Sequence, residues 1–312
     1  VTLLVLASAT RVNAVFATAP LLTGMLPDDL LKRSWRALAA LLGAALLLVA
    51  ANRLIDGRLL APHRSQPFLS LVNFDLGGIV AQGRADAYPN LDPATATRVT
   101  AHCYDPRLYN PAYRPECDAA EEALATYIAA RHRNAVAVWA EAIASAPLAY
   151  LRHRIAHLNW NWRFLVPDVP NDAVYMMSQP NDLGIAFTPN PATRVIGRTA
   201  RWMALSPLGR PVTWLAVALG LLLIAHRLPS RRFVAALALS ALLYGGAYAL
   251  VSVAPDMRYN LWTMLAAMLA LAVAVAEVRR DIPPLLPRSL LLMALAPVSI
   301  VAALEGFGLL AG

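Results

Sequence analysis

Apolar residues in this chain gather in long blocks near its two ends and thin out between about Asn52 and Ser206. A helix that crosses a bilayer needs about 20 mostly apolar residues. Blocks of that kind run over Val1–Leu26, Ala37–Asn52, Pro207–Ala225, Phe233–Val253, Leu261–Val278 and Ser289–Leu310. Arg11 interrupts the first block, so the pattern predicts six spans, or six and a fragment. The expected fold is mainly α: a polytopic membrane protein with a large, mostly helical outward domain. The expected division is 1–52, membrane helices; 53–206, outward domain; 207–312, membrane helices.

Composition supports this division. Charged residues make up 15% of the 312 positions and apolar residues 58%, against about 25% and 45–50% in ordinary soluble domains. Disorder is excluded, because it requires low hydrophobicity and high charge. The net charge of +8 does not point to nucleic acid, since most short basic clusters lie between apolar blocks. There they orient helices, because loops rich in Arg and Lys stay in the cytoplasm. Lys32, Arg33 and Arg36 fill one such loop, Arg227, Arg231 and Arg232 a second, and Arg279, Arg280 and Arg288 a third. The alternate short loop, Ala254–Asn260, holds only Arg258. The three basic loops are therefore expected inside, with 53–206, Ala254–Asn260 and the C-terminus outside. The chain starts at Val1 within an apolar run, without Met or a signal peptide, and reads as the C-terminal portion of a longer protein.

Prolines at 62, 67, 89, 93, 106, 111 and 115 predict turns and short pieces in the first half of the outward segment. Phe68–Val80 is expected to form a short helix near the membrane surface. Two helices are expected over Ala119–Ala146 and Leu148–Leu165, separated by Pro147. Pro167–Pro191 reads as an irregular loop.

Cys103 and Cys117 are the only cysteines. Both fall in the outward, oxidising segment, so a disulfide is the natural reading and two buried thiols the alternative. They lack the His or Cys neighbours of a metal ligand set. No cofactor is expected, and nothing in the sequence supports a divalent metal. His153 and His157 share a helix face, but Arg154 stands where a zinc protease motif needs Glu. An amphipathic helix at the membrane interface, with Arg152, Arg154, Trp160 and Trp162 at headgroup level, is the favoured reading over phosphate binding. Asp28–Asp29 reads as solvated loop charge beside Lys32 and Arg33. Asp256, Arg258 and Tyr259 crowd a very short outward loop, where Arg is either an anchor or a grip for a lipid phosphate. Arg11, with Asn13 nearby, is near the outer face or intramembrane, and intramembrane charges are functional candidates. Asp75, in F-D-L-G-G-I, is either an acid–base group or a helix or turn cap.

Several strings resemble bacterial multi-spanning GT-C-type glycosyltransferases. R-V-N-A-V-F-A-T-A-P-L-L at Arg11–Leu22 resembles an early span of that superfamily, and P-D-M-R-Y-N at Pro255–Asn260 its Arg-Tyr loop. F-D-L-G-G-I at Phe74–Ile79, the paired cysteines and W-A-E-A-I-A-S-A-P-L-A-Y-L-R-H-R at Trp139–Arg154 look like the outward domain of one branch. The resemblance implies transfer of a sugar from a polyprenyl-phosphate donor to a glycan or lipid acceptor outside the cytoplasmic membrane. It implies lipid-phosphate recognition at Arg258 and Tyr259, and more loosely at Arg11. It also implies a catalytic Asp or Glu in a first outward loop upstream of Val1, a place that Asp28–Asp29 does not fill. The rival readings are an O-antigen ligase or polymerase and a non-enzymatic scaffold or transport subunit. A transporter should show broken helices with polar residues at mid-membrane, which the spans from Pro207 onward mostly lack.

Overall fold

A computed structural model describes residues 1–9, 13–31, 33–55, 57, 67–107, 115–166, 184, 186, 188–280 and 287–311. Among these residues there is no strand, and the helices are α1 (Thr2–Ala9), α2 (Ala14–Gly24), α3 (Asp28–Leu31), α4 (Ser34–Leu54), α5 (Pro67–Ala81), α6 (Pro93–Cys103), α7 (Pro115–Ala130), α8 (Ala135–Ser145), α9 (Pro147–Trp162), α10 (Pro191–Leu205), α11 (Pro211–Ile224), α12 (Arg231–Val251), α13 (Met257–Arg280) and α14 (Arg288–Ala311). The protein is mainly α and polytopic, as the apolar blocks predict.

Six of these helices, α5, α6, α7, α9, α10 and α11, begin on proline. Proline is suited to a first helical position, where its fixed φ helps and its missing N–H is not needed. The prolines at 67, 93 and 115 thus start helices as well as punctuating the segment. Side-chain caps add to this. Asp92 accepts from the amides of Ala94 and Thr95, Asn134 from Val136 and Asn190 from Thr193.

Among the described residues four helices are long and apolar enough to cross a membrane: α4, α12, α13 and α14. At 1.5 Å per residue, 24-residue α13 reaches about 36 Å, against a hydrocarbon core of about 30 Å. Of the six spans, or six and a fragment, expected, these four are the ones of full length among the described residues. The first block divides into α1 and α2, and the Pro207–Ala225 block yields a 14-residue α11 preceded by a single 3-10 turn. Pro211 sets that later start.

The chain forms two compact units. The first comprises Val1–Ile55, Trp162–Gly246 and Asp256–Gly312, so 162–206 groups with the apolar helices. Its main core draws Trp214, Ala218 and Leu221 from α11, Leu237 and Ala241 from α12, and Ala266, Ala267 and Ala270 from α13. Val15 and Ala19 of α2 close on Leu48 of α4 in a smaller cluster.

The second unit comprises Asp56–Asn161 and Ala247–Pro255. Its core joins Leu69, Val72, Leu76 and Ile79 of α5 to Ala96 of α6, Leu124 of α7, Val138 and Ala142 of α8 and Ala149 of α9. Leu76 and Ile79 are fully buried, each stabilising by about 1.5–3 kcal/mol. This corrects the reading of Phe68–Val80 as a surface helix: α5 is the central helix of its unit. The single helix expected over Ala119–Ala146 is also two. The chain leaves α7 through His132, whose φ is +49°, and re-enters at Asn134, which caps α8.

Candidate functional site

A buried polar network occupies the second unit. α5 is apolar around its middle, so the helix carries Asp75 into the core, where the residue is fully buried. A lone ionised carboxylate there would be prohibitively costly without partners. It has three. Its Oδ1 lies 2.7 Å from His153 Nε2, and its Oδ2 accepts from Trp139 Nε1 at 2.7 Å and from Arg154 Nη2 at 2.6 Å. The expectation that Asp75 caps a helix or turn is therefore corrected: it sits mid-helix.

His153, His157 and Asn161 recur every four residues on α9 and so form one polar stripe, which is buried. His153 Nδ1 meets Tyr104 Oη at 2.7 Å. His157 Nδ1 lies 2.9 Å from the Pro106 carbonyl and its Nε2 3.1 Å from Ser252 Oγ. Asn161 Nδ2 donates to Ser252 Oγ, and Arg154 Nη1 donates to the Ser252 carbonyl at 2.7 Å. Of the residues expected at the interface Arg154 is corrected: with His153 and His157 it faces protein, while Arg152 is exposed.

The tautomers follow from these partners. Burial pushes His153 down from its ordinary value, against the opposing pull of Asp75. Burial takes His157 down to about 3. Both rings are neutral at neutral pH. A carboxylate only accepts, so His153 carries its proton on Nε2 and its Nδ1 accepts from the Tyr104 hydroxyl. A carbonyl only accepts, so His157 carries its proton on Nδ1. Burial, with Asp75 nearby, raises Tyr104, so the phenol stays a donor. The chain Asp75–His153–Tyr104 is thus a fixed set of hydrogen bonds that locks α5, α9 and the end of α6 together.

Two local features place it. Cys103 and Cys117 are disulfide-bonded, as the oxidising segment predicts, and hold Tyr104 at the end of α6. By loop length the bond stabilises by about 3 kcal/mol. Gly78 supplies the second: a Cβ there would lie 2.1 Å from His153 Nδ1, whereas one at Gly77 would make ordinary contacts with Tyr104 at 3.5 Å and the Tyr88 hydroxyl at 3.7 Å. Gly78→Ala is expected to displace the imidazole and destabilise the second unit by about 2–4 kcal/mol, while Gly77→Ala stays within about 1 kcal/mol of wild type. Pulse proteolysis of both variants checks this; equal stabilities would refute the packing argument.

The other sequence candidates fall in the first unit. Asp256 precedes α13, and its Oδ1 accepts the Arg258 amide. Its Oδ2 accepts from Arg258 Nε at 2.6 Å and pairs with Nη2. The Arg258 side chain stays 76% exposed, and its guanidinium lies 6.0 Å from the Tyr259 ring centre. Arg11 lies outside the described residues. Asp29 is exposed, in keeping with solvated charge. Sequence reasoning missed a further charged group. Glu305 of α14 lies 3.2 Å from Arg210, which also donates to the carbonyls of Arg163 and Phe164. Arg163 has φ +53° and is buried. Among the described residues no group of three or more His, Cys, Asp or Glu could hold a metal. No protein-family model, curated protein or solved structure matches the chain.

Proposed function

We propose that this chain is part of a GT-C-like membrane glycosyltransferase of the bacterial cytoplasmic membrane, with the second unit outside. It would move a sugar from a polyprenyl-phosphate donor to a glycan or lipid acceptor. Four membrane-length helices and the resembling strings support the reading. Phe74–Ile79 supplies Asp75 and Gly78, Trp139–Arg154 supplies three of the groups around that carboxylate, and the cysteines fix Tyr104. Strings far apart in the chain thus serve one packed unit. The Asp75 network holds that unit in shape and is closed to substrate by its burial.

The observation that carries the chemistry is Arg258. It is a largely exposed cation, oriented by Asp256, at the start of an apolar 24-residue helix. A helix N-terminus adds partial positive charge, and a planar guanidinium suits a phosphate. In the proposed reaction Arg258 stabilises the departing lipid phosphate while a carboxylate elsewhere in the protein deprotonates the acceptor. Arg258→Ala in the full-length protein is expected to lower transfer from a polyprenyl-phosphate sugar by at least roughly 10- to 100-fold. Amide exchange in α13 should be unchanged. Undiminished transfer would remove Arg258 from the site.

A further inference from the structure

The helix α10 has two exposed faces of opposite chemistry. Arg194, Arg198 and Arg201 recur at i, i+4 and i+7 along one face, all exposed, and the helix contains no acid. Val195 and Trp202, with Ile196 and Met203 one residue on, recur at i and i+7 along another. Val195, Ile196 and Trp202 are 62%, 64% and 65% exposed. Among its described side chains Ala204 alone is buried, with Thr193, Gly197 and Ala200 half-buried. An apolar face left this open in water is unfavourable by roughly 25 cal/mol per Å², so it calls for an occupant.

The chain leaves α10 by a tight elbow into apolar α11. Ser206 Oγ donates to the Met203 carbonyl, and Trp214 Nε1 donates to the Leu208 carbonyl at 2.8 Å. Gly209 comes so near Ala204 that a Cβ there would lie 2.4 Å from its Cα. The helix is therefore fixed at the N-terminal end of α11, a helix of the apolar core.

We propose that α10 lies in the plane of the bilayer surface. Val195, Ile196, Trp202 and Met203 enter the acyl boundary, and the three arginines grip anionic phosphate headgroups. High amphipathicity, low net hydrophobicity, Arg on one side and Trp on the other are the marks of such a helix. Two opposed exposed faces fit a medium whose polarity changes across the width of one helix. A protein partner would need only one. The occupant is thus the lipid itself, and the proposal rests on the membrane character of the chain, not on any transfer reaction.

The test uses the full chain reconstituted in vesicles of phosphatidylethanolamine and phosphatidylglycerol, with one nitroxide label at a time on Val195→Cys, Ile196→Cys or Arg198→Cys. Labels at 195 and 196 should be open to oxygen and shielded from a water-soluble nickel chelate, and the label at 198 the reverse. Combined Arg194→Gln, Arg198→Gln and Arg201→Gln should bring the label at 196 closer to water. Nickel access at all three positions would place α10 in water and overturn the proposal. Shielding of 195 and 196 from both reagents would put protein on the apolar face and overturn it equally.

Discussion

Asp75→Ala is expected to be the most damaging single substitution in the second unit. The side chain is fully buried and neutralises Arg154, itself 4% exposed, while accepting from Trp139 and His153. Truncation leaves a guanidinium without its counter-charge and two N–H donors without an acceptor. Breaking a buried pair from one side costs about 3–5 kcal/mol, more than the pair contributes over an apolar replacement. Amide exchange in α5 and α9, followed on the full chain, should therefore accelerate by roughly 100- to 5,000-fold. The same asymmetry predicts that Asp75→Asn combined with Arg154→Met recovers more than half of the loss, because no charge is then stranded. A change under about 1 kcal/mol in Asp75→Ala would mean that water reaches the carboxylate, and the network would lose its role as a lock.

The membrane helices were legible because a span is a property of composition averaged over some 20 residues, and local errors cancel. Their ends were not, since a start such as that at Pro211 is set at a single position. The network was illegible for the opposite reason. Asp75 meets Trp139 across 64 positions and His153 across 78, and no local pattern reports such a pairing. What the sequence did hold was the stripe of His153, His157 and Asn161. A polar stripe looks the same whether it faces headgroups or a buried carboxylate, and only the partner decides. The adjacent glycines after Asp75 were a second signal, because close approach of another side chain is a common reason for glycine inside a helix.

The same ambiguity explains why α5 and α9 were assigned to the membrane surface and α10 was not. α5 carries apolar residues on several sides, as buried helices do, whereas α9 buries its polar stripe and leaves Leu148, Leu151 and Ile155 exposed. α10 separates Arg from Trp, Val and Ile, but lies beside a Pro- and Asn-rich stretch that reads as loop. Of the expected site residues, Asp75 belongs to the second unit and Asp256, Arg258 and Tyr259 to the first. Asp75 builds the fold of its unit; Arg258 is exposed enough to meet a ligand.

The second large effect is on pH. His157 is held by the Pro106 carbonyl and Ser252 Oγ and packed against the Phe74 ring, with Arg154, His153 and Asp75 as the charged or titratable groups acting on it. Burial takes it from 6.5 down to about 3 in the folded chain. Between those values the unfolded chain binds a proton that the folded one does not, so stability falls as pH falls. It is fully present above about pH 6.5 and lost progressively toward pH 3. At 1.36 kcal/mol per unit the whole window is worth on the order of 5 kcal/mol, with about 2 kcal/mol gone by pH 5. His153, also pushed down by burial, adds in the same direction. Comparing pH 7.5 with pH 5.0 keeps clear of ordinary carboxylate titration. Amide exchange in α9, corrected for its intrinsic pH dependence, should show roughly 30-fold less protection at pH 5.0. His157→Asn, whose amide can still donate to Pro106, should remove most of that slope even though it is less stable at pH 7.5. A flat profile in the wild-type chain would mean that His157 is protonated in place, and that the neutral, Nδ1-protonated ring assigned to the network is wrong.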